Sequence, residues 1–173
     1  EINHFVSKAD NDILIKDEYN SSVALAGDSL SMDGNVHGIS ASAGNKVTLN
    51  GTTDYAVVAG NAITINGIIN NDAFIAGNLI TFGENANIKR DVIIAGRDVE
   101  LNGTIERNIS IYASKVTLKN AHVKGNVRLF AESITASNNT KVEGTLFYPE
   151  DSNYQGSNEA SIGAIEKTPA IQT

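Results

Sequence analysis

Asp72 and Asp91 are the residues of this chain best spaced to do chemistry together. They occupy the same place in two successive segments of similar pattern, and Asn108 and Asn126 continue the series. Stacked carboxylates one strand spacing apart could hold Ca²⁺, or could divide the acid and base roles of glycoside cleavage. The structural alternative is that an Asp or Asn at a recurring corner accepts hydrogen bonds from backbone N–H groups. Other reactive residues are sparse. His4, His37 and His122 are the only histidines, and cysteine is absent, which removes thiol chemistry and disulfides. There is no zinc spacing such as H-E-x-x-H, no G-x-S-x-G, no G-x-G-x-x-G, no P-loop and no calcium-binding G-G-x-G-x-D nonapeptide.

What positions these residues is a repeat, plainest over 55–103. Ala56-Val57-Val58-Ala59-Gly60-Asn61-Ala62-Ile63-Thr64-Ile65-Asn66-Gly67 returns as Val92-Ile93-Ile94-Ala95-Gly96-Arg97-Asp98-Val99-Glu100-Leu101-Asn102-Gly103. The residue closing the first short strand of each unit falls at Ala26, Ala43, Ala59, Ala76, Ala95, Tyr112 and Phe130, in steps of 16 to 19 residues. A short period repeated this often means stacked units that cannot bury their apolar face alone. Apolar residues stand four and six places after that anchor, as in Ile63 and Ile65, and one and three places before it, as in Val58 and Ala56. Alternation with period two is the mark of half-buried strands. Eight places after the anchor come Gly34, Gly51, Gly67, Gly103, Asn120 and Asn138, so a corner with positive φ is expected there. Val36, Ile69 and Ile105 lead a third, weaker strand.

The pattern predicts an all-β, single-domain parallel β-helix of about seven regular coils, with irregular coils at both ends. At a strand spacing of roughly 4.8 Å, seven coils make a rod on the order of 30 Å long. A β-sandwich would not hold the columns in fixed register. The left-handed hexapeptide acyltransferase solenoid needs a strict six-residue apolar step that this chain does not keep.

This geometry bears on the chemistry. His37 and His122 lie five rungs apart, about 24 Å, too far to share a metal, and each reads as a surface or turn histidine. Carbohydrate-active β-helices wall their clefts with long loops, whereas these coils differ in length by only three residues, which favours the corner role for Asp72 and Asp91. Ser31, Thr48, Thr64, Thr81, Glu100, Thr117 and Thr135 form an outward column. A flat Thr ladder would fit ice binding, but Lys46, Asp98 and Lys115 interrupt the surface, and Thr is an ordinary outward strand residue. The sequence therefore assigns no catalytic, cofactor-binding or metal-ligating residue.

A second outward column, two places before the anchor, reads Ala24, Ala41, Val57, Phe74, Ile93, Ser110, Arg128. Val57, Phe74 and Ile93 fall on adjacent rungs and form the candidate association stripe, because exposed apolar stripes mark contact surfaces. The competing expectation is that a terminal segment, 1–5 or the stretch after Tyr148, folds back over it.

The 173 residues include 15 Gly, two Pro and no Trp, and carry a net charge of −7. That acidity argues against nucleic acid and against anionic membrane surfaces as partners. No run of 18 apolar residues and no leader pattern occurs, so any membrane attachment is expected from segments outside this chain. Residues 1–22 read as an N-terminal cap or incomplete first coil, 23–148 as the regular coils, 149–166 as an irregular C-terminal coil, and 167–173 as a linker or disordered tail. The rung around Ser40 and Ser42 should be the loosest, and 85–89 should bulge at a corner. Sequons at Asn20, Asn50, Asn108 and Asn138 are what an Asn-, Ser- and Thr-rich composition produces by chance.

The units Val-x-[Leu/Val/Ile]-Ala-Gly-[Asn/Asp]-x-[Ile/Val]-Thr-[Leu/Ile]-Asn-Gly-x-[Ile/Val] over 23–148 resemble those of the bactofilin-like, polymer-forming cytoskeletal family of bacterial β-helix proteins. Segment 144–169 resembles the terminal coil of the membrane-linked, exported branch. The resemblance implies a right-handed β-helix, no catalytic centre, and an ectodomain followed by transmembrane helices. The expectation is a non-enzymatic structural or scaffold module at the cell surface, self-associating laterally or end to end, or meeting a cell-envelope or glycan partner. Both ends read as irregular, which works against end-to-end stacking. The alternatives are a ligand- or glycan-binding sensory ectodomain, a carbohydrate-active enzyme, and a cytoplasmic location. No cofactor is expected.

Overall fold

The computed structural model describes residues 1–171. Its strands are β1 (Val6–Ala9), β2 (Asp12–Ile15), β3 (Glu18–Tyr19), β4 (Val23–Met32), β5 (Asn35–Leu49) and β6 (Thr52–Ile65). The middle of the chain supplies β7 (Ile68–Ile69), β8 (Ala73–Phe82), β9 (Asn87–Ile88), β10 (Val92–Ala95) and β11 (Asp98–Ile105). The last part supplies β12 (Ile109–Val123), β13 (Val127–Ala136), β14 (Lys141–Pro149), β15 (Asn153–Gly156) and β16 (Ser161–Thr168). All sixteen pair in parallel in one continuous sheet that winds about an axis, a parallel β-helix. The anchor column runs Ala9, Ala26, Ala43, Ala59, Ala76, Ala95, Tyr112, Phe130. The register of β13 on β14 and of β14 on β16 carries it on through Pro149 to Thr168, for ten rungs in all. Nine strand spacings give a rod about 43 Å long.

Each rung buries three inward pairs or singles, which makes the core a column. Ala56, Val58, Ile63 and Ile65 are buried, as are Val92, Ile94, Val99 and Leu101 two rungs on. The weaker third strand contributes Tyr19, Val36, Thr53, Ile69, Ile88, Ile105, Val123 and Val142, all buried. Full burial of one such aliphatic side chain is worth about 1.5–3 kcal/mol, so the stack supplies what a single coil lacks. Thr53 is the polar exception in this column, and its hydroxyl donates to Tyr55 O at 2.9 Å. The rung at Ser40 and Ser42 does not break the ladder, for β5 pairs with both neighbours across it.

The glycine corner recurs as expected, but its conformational reason differs. Among the described residues only Gly103 has positive φ, at 80°. Gly51 and Gly67 are required because a Cβ there would overlap the carbonyl oxygen of Gly34 and of Gly51, one rung below. Close approach between rungs, not left-handed backbone, selects glycine. Gly103 is special because the two extra residues of the preceding rung form a turn, with Ala86 N donating to Gly83 O at 3.1 Å and Ala86 buried. The irregularity expected at 85–89 thus lies earlier, at 83–86, while Asn87–Ile88 pair in register as β9, and Gly103 packs against the turn.

Both ends depart from the expected boundaries. Residues 1–22, expected as a cap or incomplete coil, contain β1, β2 and β3, which make a rung in register with β4 and β5. Residues 149–166 continue the stack through β15 and β16. Lys167 and Thr168, expected as the start of a tail, pair with Tyr148 and Pro149. Of the expected tail, residues 172–173 lie outside the described residues. The ends differ from the middle in one inward column. Lys8 pairs with Leu25 at one end, and Lys167 pairs with Tyr148 at the other. The first and tenth rungs thus place an exposed ammonium in a column where the rungs between place Leu, Val, Ile, Tyr148 and, once, Ser42.

Candidate interaction face

The outward side of the first strand of every rung forms one face, with two columns of side chains. Val57, Phe74 and Ile93 pair in register across adjacent rungs and are 45 %, 47 % and 46 % exposed. None of the described residues covers them. The 1–5 segment sits at one end of the rod, with Ile2 bridged to Tyr19, and the residues after Tyr148 build further coils at the other. Fold-back cover, the competing expectation, is therefore not observed.

On either side of this stripe the face changes character. Toward the N-terminal end both columns are small, with Ala24, Ala26, Ala41 and Ala43 flooring a shallow apolar hollow of about 350 Å³. Toward the C-terminal end they are large. Tyr112 and Phe130 stack in parallel with ring centroids 4.4 Å apart, and the Arg128 guanidinium lies 4.1 Å over the Phe147 ring. Aromatic pairs and cation–π contacts of this kind hold the rings in fixed orientation. Sequence reasoning missed this asymmetry. Its signal was present as the replacement of the anchor alanine by Tyr112 and Phe130.

Asp72 and Asp91 stack at one edge of this face and serve the corner. Asp72 Oδ1 accepts from the backbone N of Asp91 at 3.0 Å, and Asp91 Oδ1 from that of Asn108 at 3.0 Å. Asn108 and Asn126 continue the pattern, accepting from Asn126 N at 2.8 Å and Thr145 N at 2.9 Å. Each carboxylate also meets an arginine, Asp72 with Arg90 at 2.6 Å and Asp91 with Arg107 at 2.7 Å. The arginine hydrogen bond is the main cause holding each carboxyl below its ordinary range. Two carboxylates sharing a proton would push one value up instead. These residues are built to stay ionised and occupied.

The histidines lie apart, as expected. His37 contacts Glu18, and His122 Nε2 lies 2.7 Å from Glu143 Oε2, each a pair between neighbouring rungs. Contact with Glu18 raises the His37 value, and the two histidines lower those of Glu18 and Glu143. The same corner carries Lys89 and Lys124 on either side of Glu106, at 3.0 and 3.7 Å. The described residues contain no cluster of three His, Cys, Asp or Glu placed to hold a metal ion. No described helix is long and apolar enough to cross a membrane. The chain matches no protein-family model, no curated protein and no solved structure.

Proposed function

We propose that this β-helix is a non-enzymatic scaffold module, the extracytoplasmic part of a bacterial membrane-linked protein of bactofilin-like type, right-handed as in that family and self-associating through its bare apolar face. One observation carries the reading: Val57, Phe74 and Ile93 form an exposed apolar stripe that continues in register over three adjacent rungs. Contiguous apolar surface of this kind on a soluble surface marks a contact site. The engagement of Asp72 and Asp91 with arginines and corner N–H groups argues against the enzyme reading.

The test is sedimentation velocity over a wide concentration range, with negative-stain microscopy, on the wild type and Phe74→Asp. Assemblies that Phe74→Asp dissolves are the expected result. A monomer at every concentration defeats the proposal. A second reading, a glycan-binding ectodomain, is favoured by the flat Tyr112–Phe130 stack, a surface able to take a sugar ring. It requires saturable glycan binding by a monomer, lost in Tyr112→Ala.

A further inference from the structure

Resting on the scaffold reading, we infer that the partner of the apolar face is a second copy of this chain, lying antiparallel across a two-fold axis perpendicular to the rod. Such an axis lies in the interface, reverses the order of rungs and keeps each column opposite its own copy, as an isologous contact requires. Centred between the Phe74 and Ile93 rungs, it brings the third rung of one copy over the eighth of the other.

Away from the centre, where Phe74 meets Ile93 and Ala76 meets Ala95, the pairings flanking it set small residues of the hollow against large ones of the ridge. In the anchor column Ala43 faces Phe130 and Ala59 faces Tyr112. In the other column Ala24 faces Phe147, Ala41 faces Arg128, and Phe74 and Ile93 meet at the centre. The aromatic ridge of each copy thus fills the alanine-floored hollow of the other. A parallel pairing, with the axis along the rod, would instead stack ridge on ridge and leave both hollows empty.

The area agrees with this arrangement. A strip of ten rungs by about 13 Å gives roughly 560 Å² per copy, or about 1,100 Å² in total. That exceeds the lattice-contact range of under about 800 Å² and approaches the lower bound of about 1,200 Å² for stable pairs, so the dimer is reversible.

The chain has no cysteine, so single spin labels can be placed at Asp10→Cys and Asn78→Cys, exposed corner sites on the first and fifth rungs. In the antiparallel dimer the Asp10 labels lie about 43 Å apart and the Asn78 labels within about 20 Å, measured by double electron–electron resonance. Ala43→Arg, an exposed substitution in the hollow, raises the dimer dissociation constant at least ten-fold, and Thr64→Arg on another face leaves it unchanged. Equal distances at both sites, or equal effects of the two arginine variants, overturn the antiparallel pairing while the scaffold reading stands. A monomer in all samples overturns both.

Discussion

Ser40 and Ser42 occupy the two inward positions that Val92 and Ile94 occupy three rungs further along, and the two sites share register and burial but not chemistry. Ser40 is wholly buried with its hydroxyl unpartnered, whereas Ile94 is wholly buried in apolar contact. The first strand of the third rung turns no apolar side chain inward, although Val47 and Leu49 of the same rung are buried, and it pairs in register with the rungs above and below. In a stacked fold a weak unit is held by its neighbours, and the core need not be apolar at every level.

The largest effect that would test this comparison is Ile94→Ala, expected to cost about 2–5 kcal/mol in denaturant unfolding. Ser42→Ala should cost under about 1 kcal/mol. Equal costs would mean that the middle rungs carry no more of the stability than the third.

Ser40→Ala removes a buried hydroxyl that has no partner, and should stabilise the protein by about 1 kcal/mol in the same assay. Destabilisation would show that the hydroxyl is satisfied in solution.

A smaller effect separates rungs that cap the same corner with Asp from those that use Asn. Asp72 and Asp91 have depressed values in the folded state, so their contribution is present above the unfolded value near pH 4 and is lost as pH falls through the folded values. The double variant Asp72→Asn, Asp91→Asn keeps the acceptors of the corner N–H groups and removes the titration. Its acid-unfolding midpoint should shift by a few tenths of a pH unit from the wild type, and an unchanged midpoint would remove the carboxylates from the acid response.

The smallest effect concerns His37, whose contact with Glu18 raises its value. Stability from this pair is present below the unfolded histidine value near pH 6.5 and fades as pH rises through the folded one. In Glu18→Gln the His37 titration followed by NMR should return toward the ordinary value, and an unmoved titration would remove Glu18 as its cause.

The repeat was legible because alternating side chains such as Ile63 and Ile65 can only face one way, and the stripe followed from the same column arithmetic. The ends were not legible, because Lys8, Lys167 and the polar 153–156 stretch break the apolar pattern although their backbones pair. The corner glycines were read from turn chemistry alone. Their true constraint is a carbonyl one rung away, which no local window contains. Tyr112 and Phe130 read as lapses from the alanine anchor, because only the assembled face shows a ridge opposite a hollow.

Lys8 and Lys167 make the outermost described strands selective. A strand laid against either one must leave that ammonium in water or bring it a carboxylate, so hydration and charge, not apolar fit, decide what the edge admits.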